Sequence, residues 1–241
     1  MKALKRFKQG GGFRLVTTLT RKGLLPDLIK VGFNILFRRR SYQQYSILTE
    51  KVKPLLMKEF KDILDNSDKQ TRGAKTENGI LDEEKKHVWS CWLQGIDKAP
   101  DIVKSCLKSQ KQWLKDKTFT IITADNYKEY ISLPGFIEEK YARHIIPDAM
   151  FTDLIRVELL IKHGGTWIDS TVMITGNNYP KEILDCPIFM PQYISMEGSW
   201  HGISNWFITA YRESHLLILL REMLYEYWRR YDCVLDYHVF H

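Results

Sequence analysis

The stretch 148–175, DAMFTDLIRVELLIKHGGTWIDSTVMIT, holds the side chains best suited to chemistry. Asp153 and Arg156 are three residues apart, so a helix sets them on one face. The middle of that helix is mostly apolar, so two charged groups there want a reason. Gly164–Gly165 closes the helix and lets the chain turn tightly into a strand. Asp169 then falls at the carboxyl end of a short strand from Thr166, and ligands of open α/β sheets bind at carboxyl ends of strands. Ser170 and Thr171 follow it. A carboxylate beside hydroxyls suits a hard divalent cation, Mg²⁺ or Mn²⁺. Taken singly, each feature has a plain structural reading: an Asp–Arg surface pair, a helix cap, a turn aspartate. Taken together in so short a stretch, they favour a site.

The elements that would position these residues can be read on either side. Residues 42–67 have helical spacing, with Pro54 expected to kink or divide the helix. Residues 66–86 are polar with two glycines and read as a linker. His87–Leu93 reads as a buried strand, Asp101–Lys115 as an amphipathic helix begun after Pro100, and Thr118–Thr123 as a second strand. Tyr127–Ile131 and Phe136–His144 read as short helices, and Pro147–His163 as a long one. Thr166–Ile174 is expected to be a third strand, Pro187–Gln192 a fourth, and Ser214–Arg230 the last helix. Strands alternating with helices imply an α/β domain with a mostly parallel sheet. The linker divides the chain into a basic N-terminal helical extension, 1–85, and an α/β domain, 86–241.

Composition narrows the function classes. The chain has 241 residues, 44% hydrophobic and 27% charged, which are globular proportions. Four scattered cysteines form no C-x-x-C pair, which argues against a disulfide framework or a structural zinc site. The net charge of +7 is uneven: residues 1–40 hold eleven Lys/Arg against Asp27 alone, and the remainder is slightly acidic. Apolar residues are interleaved with those cations, from Phe13 to Phe37. Such an arm suits an anionic membrane surface, with packing on the body as the competing reading. Nucleic acid is not an expected partner, because the body is acidic and carries no nucleic-acid motif. No apolar run is long enough for a spanning helix, and no cleaved secretory signal is expected.

The pattern D-x-x-R on a helix, then G-G-x-W-x-D-x-T, resembles the signature region of capsular polysaccharide synthesis proteins. These are related to the DXD-containing glycosyltransferases of the family 32 type. The segment VWSCWLQGIDKAPDIVKSCLKSQKQW is similar to that family's opening strand, W-x-x-W-x-Q-G, with its following proline and helix. ISNWFITA and the terminal DYHVFH are similar to later segments. The resemblance covers roughly residues 86–241.

The resemblance implies a GT-A fold, that is, a Rossmann-like nucleotide-sugar-binding domain. It implies a hexosyltransferase taking a sugar from a nucleotide-sugar donor, a UDP-sugar, to a saccharide acceptor in a growing capsular or cell-surface polysaccharide, with retention of configuration. Asp153, Arg156 and Asp169 would bind the donor, and Asp153 and Asp169 would bear on catalysis. Asp169 stands at the first Asp of the DXD motif, and Thr171 at the second. Mn²⁺ or Mg²⁺ would rest on Asp169 and Thr171 with a ligand from the C-terminal region, His238 foremost. Trp89 and Gln94 sit at the end of the first strand, the region that surrounds the nucleotide base in such folds, so Trp89 would stack on the base, although Trp89 and Trp92 also read as core aromatics. Asn205 and Trp206 would contact sugar or acceptor. The implied location is cytoplasmic, peripheral on the inner face of the plasma membrane. The competing reading is a catalytically inactive relative that binds sugar or partner proteins.

Overall fold

The computed structural model describes residues 10–30, 42–71, 87–194 and 200–235. In chain order the helices and strands are α1 (Phe13–Arg21), α2 (Tyr42–Glu59), α3 (Lys61–Thr71), β1 (His87–Cys91), α4 (Asp101–Trp113), β2 (Thr118–Ile122), α5 (Tyr127–Tyr130) and α6 (Gly135–Ala142). There follow α7 (Asp148–His163), β3 (Gly165–Ile168), β4 (Ile188–Phe189), β5 (Gln192–Ile194), β6 (Trp200–Ile203), β7 (Phe207–Ala210) and α8 (His215–Arg230). Two compact units divide the chain. One comprises residues 1–73, 134–151 and 222–240; the other comprises residues 74–133, 152–221 and 241.

In the first unit, α1 is tied to the segment after α8. Val234 N–H donates to Gly10 O at 3.0 Å, and Gly11 lies directly against Cys233. A β-carbon on Gly11 would sit 2.5 Å from Cys233 Cβ, and its φ of +105° also excludes side chains. Lys22 pairs with Glu59, which also accepts from the Tyr231 hydroxyl. Lys140 donates to the Trp228 and Tyr231 carbonyls and pairs with Asp232. Leu19, Val52, Phe60, Tyr227 and Trp228 are buried. The helix α2 runs through Pro54 and breaks at Phe60, so the proline neither divides nor ends it. The stretch expected to be a linker from residue 66 is helical as far as Thr71, and residues 72–86 lie outside the described ones.

The second unit is α/β. Its five-stranded sheet has the order β2-β1-β3-β7-β4. Pairs β1/β2 and β1/β3 are parallel, whereas β3/β7 and β4/β7 are antiparallel. The expected mostly parallel sheet is thus mixed, because β7 enters it antiparallel. All residues of β3 and β7 are buried, as a sheet covered on both faces requires. One side packs Val88, Ile168 and Phe207 with Leu114 and Leu184. Helix α4 starts after Pro100, has Asp101 in its first turn, and buries Val103, Cys106, Leu107 and Gln110, one stripe at helical spacing. On α7, Leu154, Ile155, Val157, Leu159, Leu160 and Ile161 are buried, so the helix is covered almost all round. Gly164, at φ +67°, ends it, its N–H donating to Leu160 O at 2.9 Å.

Two strand expectations are corrected. The third strand stops at Ile168 rather than continuing to Ile174: Asp169 opens a turn in which Val172 N–H donates to Asp169 O at 3.0 Å. The β-branched residues that suggested a longer strand, Val172 and Ile174, still pack into the core, but from a loop. The fourth expected strand, Pro187–Gln192, is only Ile188–Phe189 in the sheet, and Gln192–Ile194 pairs separately with β6.

Candidate functional site

The sheet topology sends distant segments to one edge. Strands β1 and β3 are parallel and in register, Trp89 opposite Trp167, so the residues after them leave on the same side. Strand β7 is antiparallel, with Phe207 opposite Ile168, so the residues before it arrive on that side. Asp169 N–H donates to Trp206 O at 2.8 Å and extends the pairing one step beyond the strand. Gln94, Asp169, Asn205 and Trp206 therefore share the carboxyl edge, and α7 delivers Asp153 and Arg156 beside it.

Arg156 is the centre of the cluster. Its guanidinium is 4% exposed, with Nη1 at 2.9 Å from Asp153 Oδ1 and Nη2 at 2.9 Å from Asp169 Oδ1. Its Cζ lies 4.7 Å from the centroid of the Trp167 ring, a cation–π contact. The Trp167 indole N–H donates to the same Asp169 oxygen at 2.6 Å. Asn205 Nδ2 donates to Asp153 Oδ1 at 3.1 Å. A buried guanidinium requires such partners, because a lone charge in the interior is costly. Both aspartates spend Oδ1 on these bonds, and Asp169 remains the more open of the two. Burial pushes the Asp153 carboxyl up to about 6; Arg156 opposes that rise and the Asp169 charge adds to it. With both carboxylates ionised, the triad carries a net charge of −1.

The turn that carries Asp169 is held from beneath by α4. Gln110, fully buried, donates through Nε2 to Asp169 O at 2.9 Å and to Val172 O at 2.7 Å. Ser109 Oγ accepts the Ile174 N–H at 3.0 Å, and the Cys106 thiol points to Thr171 O at 3.4 Å. None of these three was among the residues singled out from sequence. The signal was present: Gln110 is polar at a position where the inward stripe of Val103, Cys106 and Leu107 calls for an apolar residue.

The other expected site residues fall as follows. Trp206 is 42% exposed beside Asp169, and Asn205 is half-buried on Asp153. Gln94 is exposed in the turn after β1. Trp89 is not in the cluster. It is buried, its indole N–H donates to Gly164 O at 3.0 Å, and His87 stacks on its ring at 3.8 Å. Tyr130 and His163 also pack against it, so both its polar atom and its surface are committed to the protein. Trp92 packs on Ala99, Val103 and Leu107. Thr171 is exposed in the turn, while His238, like His241 and Asp236, lies outside the described residues. Among the described residues no three His, Cys, Asp or Glu are grouped to hold a metal ion. Asp169 Oδ1 already receives two donors. The described side chains do not make up a site for Mn²⁺ or Mg²⁺ by themselves.

The α/β unit thus holds an acid pair gathered by one arginine at the carboxyl edge of its sheet. The chain belongs to the capsular polysaccharide synthesis protein family, whose model matches residues 33–241. The match begins well before residue 86, where the resemblance was expected to start, and so takes in α2 and α3. Membership gives the chain a role in capsule biosynthesis. Comparison with curated proteins gives no match.

Proposed function

We propose that this protein is a glycosyltransferase of the GT-A type that moves a hexose from a nucleotide-sugar, a UDP-sugar, to a saccharide acceptor of the growing capsule. The observation that carries the reading is the gathering of Asp153 and Asp169 on Arg156, at the sheet edge where open α/β folds bind ligands. Transfer breaks the bond from the anomeric carbon to the diphosphate oxygen and forms one to an acceptor oxygen, whose proton passes to the departing diphosphate. The carbon becomes cation-like on the way, and a fixed net negative charge beside it lowers that barrier. Asp169, the more open carboxylate, would accept the hydroxyls of the donor sugar, with the charge of Asp153 behind it. The exposed Trp206 indole offers a flat apolar face for a sugar ring. Retention of configuration is part of the proposal and follows the family resemblance alone.

The test is thermal stabilisation by UDP-, GDP- and CDP-sugars, with and without Mn²⁺, followed by transfer to an oligosaccharide acceptor. Stabilisation by one donor class and transfer from it are expected. Absence of both with every donor overturns the reading. A second reading has its own observation: Thr171 stands where related enzymes carry a second carboxylate. An inactive sugar-binding relative would be stabilised by a donor yet neither transfer nor hydrolyse it.

The enzyme would act on the cytoplasmic side, held to an anionic membrane surface by the basic N-terminal arm. Phe13 and Ile29 are 83% and 62% exposed among its cations, which supports a surface contact. Among the described residues no helix is long and apolar enough to cross a membrane.

A further inference from the structure

Gln110 is the one polar residue of the inward face of α4 whose side chain reaches two carbonyls of the turn bearing Asp169. Its amide nitrogen has two hydrogens, and each is spent: one on Asp169 O at 2.9 Å, one on Val172 O at 2.7 Å. Both partners are acceptors, so the amide cannot be flipped without placing oxygen against oxygen. The side chain is wholly buried, and its own Oε1 has no hydrogen-bond partner among the described residues. Leaving a buried acceptor unmatched is costly, so the residue is poorly chosen for stability alone. It is well chosen for fixing the ends of one turn. Asp169 O and Val172 O bracket the turn that presents Ser170 and Thr171, and Asp169 itself is held at one end. Its carboxylate is in turn received by Trp167 Nε1 at 2.6 Å and Arg156 Nη2 at 2.9 Å.

We propose that Gln110 is a positioning residue: through the backbone of residues 169–172 it sets the Asp169 carboxylate against Trp167 and Arg156, at the height where a donor sugar meets it. The last clause rests on the glycosyltransferase reading; the first does not. Gln110 touches no substrate. Its effect is on geometry, and geometry matters at this scale because a misplacement of about 1 Å costs about a hundredfold in rate.

Two variants test this. Gln110→Leu keeps the bulk and removes both donors. Gln110→Glu keeps the shape. Protonated, its carboxyl donates one hydrogen bond; ionised, it turns only acceptors toward two carbonyls. The activity-independent probe is the indole N–H resonance of Trp167 in ¹⁵N-labelled protein, assigned with Trp167→Phe. In Gln110→Leu that resonance is expected to move upfield as its bond to Asp169 loosens, while the resonance of Trp89, on β1, stays in place. In Gln110→Glu it is expected to sit near the wild-type position at pH 5.5 and to move by pH 8. In the transfer assay, kcat should fall about a hundredfold for Gln110→Leu with donor KM changed no more than about threefold. Gln110→Glu should show that loss only at the higher pH. A Trp167 resonance unmoved in both variants overturns the proposal, whatever the assay gives. If the resonance moves as described and the wild type transfers no sugar, the positioning role stands and the glycosyltransferase reading falls. A variant that merely loses stability, with the Trp167 signal and kcat unchanged, also overturns it.

Discussion

Arg156 Nη2 donates to Asp169 Oδ1 at 2.9 Å, joining the middle of α7 to the first residue after β3. The same guanidinium reaches Asp153 one helical turn before it. One buried cation thus sets the position of both acids. Replacing it by Met would leave Asp153 buried without its counter-charge. Arg156→Met is expected to lower stability by about 3–5 kcal/mol. Urea unfolding at pH 7.5 measures this; a change below about 1 kcal/mol would show that the triad is not a charged core.

Asp169→Asn tests the chemistry apart from the fold. The amide oxygen still accepts from Arg156 and Trp167, and the position is partly open, so the melting temperature should change by no more than about 3 °C. The negative charge is gone, and sugar transfer should fall by a hundredfold or more, roughly the cost of removing one group that stabilises developing charge. Turnover retained in full would remove Asp169 from the mechanism.

The Asp153 carboxyl, at about 6 against an ordinary 3.8, takes up a proton more readily in the folded chain than in the unfolded one. Between those two values the folded state binds more protons, so stability falls as pH rises through the window. Above it the ionised group carries the whole cost, about 3 kcal/mol; well below it there is none. Asp153→Asn removes the dependence while Asp169 still pairs with Arg156. Relative to wild type, this variant should gain about 2 kcal/mol between pH 4.5 and pH 7.5 in urea unfolding. An identical difference at both pH values would contradict the assignment.

Trp89→Phe separates a base-stacking residue from a core one. Phenylalanine lacks the N–H that now bonds Gly164 O, so the variant should lose about 1–3 kcal/mol of stability. Donor affinity measured below the melting transition should stay within about threefold, under 1 kcal/mol. A large loss of affinity at unchanged stability would restore the stacking role.

Removal of residues 1–40 would disturb the fold as well as the charge of the basic arm. That segment contains Leu19 and Leu24, both buried, and the Lys22 partner of Glu59. Exposed positions can be changed instead. Phe13→Ser with Arg21→Gln and Lys30→Gln should reduce binding to anionic liposomes by about tenfold, near 1 kcal/mol for each cation lost at most, with little effect on unfolding. Unchanged binding would reject the surface role of these residues.

The elements around the site were largely legible because their signals are periodic. The stripe of Val103, Cys106 and Leu107 and the capping Gly164 gave α4 and the end of α7 within a residue or two. Asp153 and Arg156 stood out as charges in apolar company. What sequence could not supply was the entry of β7. Four residues, Phe207–Ala210, carry too short a pattern to reveal a strand or its direction, and that direction turned the expected parallel sheet into a mixed one. The loop 169–174 was hidden for a different reason. Its β-branched residues look like strand, and its shape is imposed by Gln110, nearly sixty residues earlier.

Gly10 O receives the N–H of Val234, and the residue beside it has no room for a side chain against Cys233. This closure joins segments made far apart in synthesis. The helical unit cannot be completed until residue 234 has left the ribosome, so the nascent N-terminal helix waits with its apolar side uncovered. During that wait the many cations of the segment, through mutual repulsion, would help keep unfinished chains apart.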